Sequence, residues 1–265
     1  MNQANTEIIK WSIVVIQSLH NERLTGEQLY FDVIKRKEYS NSAIKTSYYD
    51  VENIQQFEDY MHEIANNIED GDIMTIHLEI HGDNNQRGLV LASGELVDWE
   101  YLVDLFRPIN IKIGGLLLVT MAVCFGAAII SYIDPKQRAP YLCVLGASKT
   151  LYVTELADAF EAFYSLYDNA LDITKAYEAM KEQYRLNGKE CPLGFVSSIE
   201  QFQQVFDPDR DPYSFAMIIE RKVEEYKVNG IETTLDKERN RIIELMKQDK
   251  EKLFPYFSFQ DVYKA

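Results

Sequence analysis

Ile73-Met74-Thr75-Ile76-His77-Leu78-Glu79-Ile80-His81-Gly82 is the most informative run in this chain. Met74, Ile76, Leu78 and Ile80 face one way, and Thr75, His77, Glu79 and His81 the other, which is the period of a β-strand. Gly82-Asp83-Asn84-Asn85 then ends the strand as a loop. Upstream, Ile54, Phe57, Met61, Ile64, Ala65 and Ile68 recur at helical spacing, with Asp50 as the expected N-cap and Gly71 as the stop. Further upstream, Trp11–Gln17 is β-branched and apolar and reads as a strand buried on both faces. Leu29–Ile34, with Tyr30 and Phe31, reads as a second strand.

Downstream, Gly88–Val97 reads as a short hairpin and Asp98–Phe106 as a helix, with Asp104–Lys112 running on as a loop. Leu116-Leu117-Leu118-Val119-Thr120 is a strand, Cys124-Phe125-Gly126 a break, and Ala127-Ala128-Ile129-Ile130 the start of a helix. Tyr141–Leu145 is a further strand. Thr154 is the expected cap of a helix striped by Leu156, Ala159, Phe160 and Phe163, and Asp172 that of a helix running to Leu186. Strands alternating with helices imply an α/β fold around a largely parallel sheet. The polar, proline-marked Asp207–Pro212 marks a boundary. Residues 1–200 are expected to form the main domain. Residues 201–265 are expected to form a helical C-terminal extension, with amphipathic helices over Phe215–Lys227 and Leu235–Leu253.

The 265 residues are 46% hydrophobic and 26% charged, a globular composition that excludes a disordered or collagenous chain. Lys and Arg number 27 against 42 Asp and Glu, a net charge of -15, which argues against nucleic acid as a partner. Residues 201–265 hold 11 basic and 13 acidic side chains, so nearly all the excess acid precedes them. Ile113–Ile133 has no charged residue and the length of a membrane span. Its strand–turn–helix pattern instead predicts a buried core, so no membrane partner is expected. The segment before Trp11 has no apolar h-region, which points to a reducing cytoplasm. No phosphate-binding glycine loop is present, so nucleotide chemistry is not expected. The abundant Tyr and Phe, including Tyr48, Tyr49, Tyr164 and Tyr167, read as core and rim aromatics.

In open α/β sheets, sites lie outside the carboxyl ends of the strands. Two such ends carry reactive groups, one closing on His81-Gly82 and the other leading to Cys124. Neighbouring parallel strands would bring them together. A thiolate beside an imidazole is the requirement for nucleophilic acyl transfer. The expected roles are Cys124 as nucleophile, His81 as proton donor to the leaving amine, and the backbone amides of Gly82 and Cys124 as oxyanion donors. A helix starting just after Cys124 is expected to favour the thiolate. No cofactor is required.

The strand closing on His81-Gly82 and the later strand running into Ala122-Val123-Cys124-Phe125-Gly126 resemble those of the caspase-like cysteine peptidases, the group of caspases, legumain, separase and the bacterial CHAT-type peptidases. The His–Cys spacing of 43 is near the ~50 of caspases. Gly88–Val97 with the Asp98-Trp99 helix is similar to the CHAT-type insert, and Glu155–Tyr167 with Asp172–Met180 to the closing helices. The resemblance covers roughly residues 10–190 and implies a three-layer sandwich and a cysteine endopeptidase acting on polypeptides. It further implies a regulated bacterial effector in defence, including antiviral defence, or cell death, controlled by an activating small molecule or protein. Residues 201–265 are the natural regulatory element. A homodimer, as in caspases, is compatible with the sequence, although no coiled-coil heptads require one. Caspases carry Gln two residues before the cysteine and metacaspases Asp; this chain has Ala122, which leaves the P1 preference open.

Two other readings compete. His77, Glu79 and His81 lie on one strand face and form a His-x-Glu-x-His pattern suited to a metal-dependent hydrolase. The plainer view is that His77 and Glu79 hydrogen-bond beneath the packed helices or orient His81. The other reading is a catalytically inactive domain of the same fold that binds a partner. Cys143, on an apolar strand, and Cys191, before Pro192, read as structural, and His20 and His62 as surface residues.

Overall fold

A computed structural model describes residues 10–69, 72–170 and 172–263. The backbone divides into two compact units, one of residues 1–133 with 139–198 and one of 134–138 with 199–265.

The first unit is built on a mixed sheet. Its strands are β1 (Trp11–Ser18), β2 (Ile44–Asp50), β3 (Ile73–Gly82), β6 (Leu117–Ala122), β7 (Cys143–Ala147) and β8 (Leu193–Ser197). Their spatial order is β2-β1-β3-β6-β7-β8, with β8 alone antiparallel. A small antiparallel ribbon, β4 (Gly88–Val90) and β5 (Leu96–Asp98), pairs onto the end of β3. The chain winds outward from β1 to β2, then returns to β3 on the other side, so the switch point lies between β1 and β3.

Side-chain alternation sorts each strand onto two helical layers. Trp11, Ile13 and Val15 pack with Leu29, Tyr30, Leu156, Phe160, Phe163 and Met180. These come from α1 (Thr25–Leu29), which continues as a π-helical turn over Tyr30–Ile34, and from α5 (Val153–Leu166) and α6 (Thr174–Leu186). Val14, Ile16, Ile76 and Leu78, equally buried, point to the opposite face. The apolar stripes of α3 (Ile54–Asn67) and α4 (Trp99–Lys112), among them Phe57, Met61, Leu102 and Phe106, are buried as well. The result is a three-layer α/β sandwich around a mostly parallel sheet.

Several local expectations need correction. Leu29–Ile34 is helical: Leu29, Tyr30 and Ile34 turn inward while Phe31 and Asp32 face solvent, one-sided burial that a helix provides. The strand beside β1 is instead β2, whose Lys45, Thr46 and Ser47 hide its character because it is an edge strand. Asp50 ends β2, and Asn53 caps α3 by accepting the Gln56 N–H. Gly71 lies outside the described residues. Asp98 does cap α4, by accepting the Tyr101 N–H, but the helix runs on to Lys112 rather than becoming a loop. Ile109 and Ile113 continue its buried stripe, which packing sustains through Pro108. Thr154 lies within the first turn of α5, whose N-cap is Tyr152 without a side-chain bond. Asp172 accepts the Thr174 N–H, which holds its carboxyl below the usual range. The apolar run Ile113–Ile133 divides into β6 and a 3-10 helix over Gly126–Tyr132. No helix among the described residues is long and apolar enough to cross a membrane.

The second unit holds most of α7 (Ser198–Val205), together with α8 (Pro212–Val228) and α9 (Leu235–Phe257). Phe202 packs against Phe206, Phe254 and Phe257. The Arg138 guanidinium lies 4.2 Å from the centre of the Tyr256 ring and pairs with Asp261.

Candidate active site

β3 and β6 are adjacent and parallel, with Glu79 opposite Ala122. Each strand end therefore carries its reactive residue two positions further on, His81 from β3 and Cys124 from β6. Both line one cleft of about 140 Å³, together with Leu19, Glu22, Glu79 and Leu151.

Gly82 makes this convergence possible. A Cβ built on it would lie 1.9 Å from the Cys124 carbonyl oxygen and 3.2 Å from the Cys124 Cβ. Any side chain there would push the two strand ends apart. The Asp83 N–H donates to the Gly88 carbonyl. The alternation of an antiparallel ladder then turns the Gly82 N–H away from β4.

Cys124 is half-buried, and its Sγ accepts the Leu151 N–H at 3.3 Å. Phe125 adopts the left-handed conformation (φ 60°), and its N–H donates to the Lys149 carbonyl. The loop after β7 thus brackets the sulfur. The helix expected to start after Cys124 is only a seven-residue 3-10 helix, so the dipole argument does not apply. The Leu151 amide is the direct donor to sulfur, and nothing in the spacing of the sequence marked it.

His81 is 54% exposed, and its Nε2 lies 2.6 Å from Glu22 Oε1. Glu22, in the loop after β1, is a second residue that the sequence did not single out. No hydrogen bond joins His81 to Cys124. Nε2 is engaged by Glu22, and Nδ1 has no hydrogen bond among the described residues.

His77 and Glu79 belong to a buried network instead. His77 Nδ1 lies 2.9 Å from the Thr120 hydroxyl, and Thr120 lies 2.7 Å from the Tyr164 hydroxyl. His77 Nε2 lies 3.2 Å from Glu79 Oε2, and the Thr25 hydroxyl donates to Glu79 Oε1 at 2.6 Å. Phe160 and Tyr164 pack edge-on against the His77 ring. Both ring nitrogens of His77 are thereby committed, which is the plainer of the two roles weighed for this pair. The His-x-Glu-x-His metal pattern is not assembled, and the described residues include no group of three His, Cys, Asp or Glu arranged to hold a metal ion. His81 takes its orientation from Glu22 and not from this pair. Of the other cysteines, Cys143 packs against the core on β7, and burial pushes the Cys191 thiol up.

No protein-family model matches the chain, and no curated protein matches it in sequence. Among solved structures, the crystal structure of the Drosophila initiator caspase Dronc superposes with a TM-score of 0.50 at 11% identity, covering 71% of this chain and 79% of that one. The fold is caspase-like.

Proposed function

We propose that this chain is a caspase-like cysteine endopeptidase acting through Cys124 and His81. The observation that carries the reading is the seating of Gly82 against the Cys124 carbonyl, which draws the ends of β3 and β6 onto one cleft. Cys124 gives its S–H proton to His81 Nδ1, and Sγ attacks the scissile carbonyl carbon to form the carbon–sulfur bond. The oxyanion is met by the backbone amides of Gly82 and Cys124. His81 passes a proton from Nδ1 to the leaving amine as the peptide bond breaks, then takes one from the water that hydrolyses the thioester. The Leu151 N–H stabilises the sulfur anion, because a donor to a thiolate is a charge-assisted hydrogen bond. The CHAT-type affinity and a regulated role in bacterial defence or cell death, as a cytoplasmic enzyme, belong to this same proposal and rest on the sequence resemblance. Residues 201–265 would then be the regulatory extension of a peptidase domain over 1–200.

The test is an electrophilic peptide warhead incubated with the pure protein, followed by mapping of the modified cysteine. Modification of Cys124, lost in His81→Ala and unchanged in Cys143→Ala, is the expected result. Peptide cleavage that survives Cys124→Ala and stops with a chelator would overturn it in favour of a metalloenzyme.

A further inference from the structure

The cleft beside Cys124 holds a buried carboxylate. Glu79 is 6% exposed, and among the described residues no Lys or Arg pairs with it. It accepts from the Thr25 hydroxyl and lies 3.2 Å from His77 Nε2. A carboxylate has about four acceptor sites, more than these two contacts fill.

The position of that charge matters as much as its sign. Glu79 is the register partner of Ala122, the residue two before Cys124. Ala122 offers only a methyl, so the space beside it is open to the carboxylate on the neighbouring strand. Glu79 also lies two residues below His81, about 6–7 Å down the strand at ordinary strand rise. Leu19, Leu151, Val153 and Leu156 give the cleft an apolar lining, beside the Thr25 hydroxyl. An apolar lining with a carboxylate in it suits a side chain with an aliphatic stem and a cationic head. Glu22 adds a second acidic side chain, and no Lys or Arg lines the cleft.

We infer that the cleft selects lysine or arginine at the P1 position of a polypeptide substrate, with Glu79 as the residue that recognises the cation. This rests on the peptidase reading above. Glu79 supplies from β3 the charge that Ala122 does not supply from β6.

The experiment uses full-length protein and a set of peptide acyloxymethyl ketones that differ only at P1, carrying Arg, Lys, Leu, Ala or Asp. The rate of Cys124 modification is read by mass spectrometry. Arg and Lys are expected to react at least tenfold faster than Leu, and Asp slowest of all. In Glu79→Gln, which keeps the shape and the acceptor for Thr25, the Arg-to-Leu rate ratio is expected to fall at least tenfold. Equal or faster modification by the Leu or Asp probe in the unmodified protein overturns the inference while leaving the peptidase reading intact. An unchanged ratio in Glu79→Gln removes Glu79 from the recognition role. Failure of every probe to modify Cys124 overturns the peptidase reading and the inference together.

Discussion

Gly82 and Cys124 are in backbone contact, close enough that a methyl group on Gly82 would lie 1.9 Å from the Cys124 carbonyl oxygen. That oxygen belongs to backbone and cannot rotate aside as a flexible side chain would. Gly82→Ala is therefore expected to separate the ends of β3 and β6. Overpacking of this kind costs about 1–3 kcal/mol or more. Peptide cleavage is expected to fall at least a hundredfold, with a lowered Tm by calorimetry. Wild-type cleavage by Gly82→Ala would show that the contact is not needed.

Glu22 holds the His81 ring through Nε2. As a positioning residue it is expected to affect kcat more than KM. In Glu22→Ala, kcat is expected to drop about 10- to 100-fold, at or below the low end of the roughly 100- to 10,000-fold ascribed to a general acid–base group itself, while KM for a peptide with a neutral P1 changes little. Glu22→Gln is expected to recover part of the rate by restoring a hydrogen bond. A fall confined to KM would assign Glu22 to substrate binding instead.

Asp83 follows the His81-Gly82 pair and accepts hydrogen bonds from the Arg87 side chain and from the backbone of Asn85 and Arg87. The Arg87 guanidinium holds its carboxyl below the usual aspartate range. A depressed folded-state value means that the contribution is complete above the unfolded value, about 3.9. It is lost as pH falls through the lower folded one. Asp83→Asn is thus expected to lower Tm at pH 7, with the difference from wild type closing as pH falls below the unfolded value. A difference that persists or widens in acid would contradict the assignment.

The Tyr141 hydroxyl is buried and, among the described residues, has no hydrogen-bond partner. An unpaired buried polar group costs about 1–3 kcal/mol. Tyr141→Phe keeps the ring and removes that cost. Tm is expected to rise by about 2–4 °C per kcal/mol recovered. A clear loss of stability would mean that the hydroxyl is satisfied in solution.

The strands near the site were legible in the sequence because central parallel strands are buried on both faces and read as apolar runs, as in Trp11–Gln17, while Ile73–His81 showed the two-residue period of a strand. β2 was not legible, since an edge strand with Lys45, Thr46 and Ser47 carries no such signal. The helical run Leu29–Ile34 was misread because aromatic and β-branched residues suit either state until tertiary packing chooses one.

For the candidate site, the amino-acid order alone placed His81 and Cys124 at the ends of two apolar strands. Local patterning records which residues close a strand. It could not supply Glu22, the Leu151 amide or the pairing of Glu79 with Ala122. Those relationships join the loop after β1, the loop after β7 and the β3/β6 register, segments distant in the chain. Only the strand order and the register of the sheet bring them to one cleft, because a hydrogen bond is set by distance in space and carries no mark in sequence spacing.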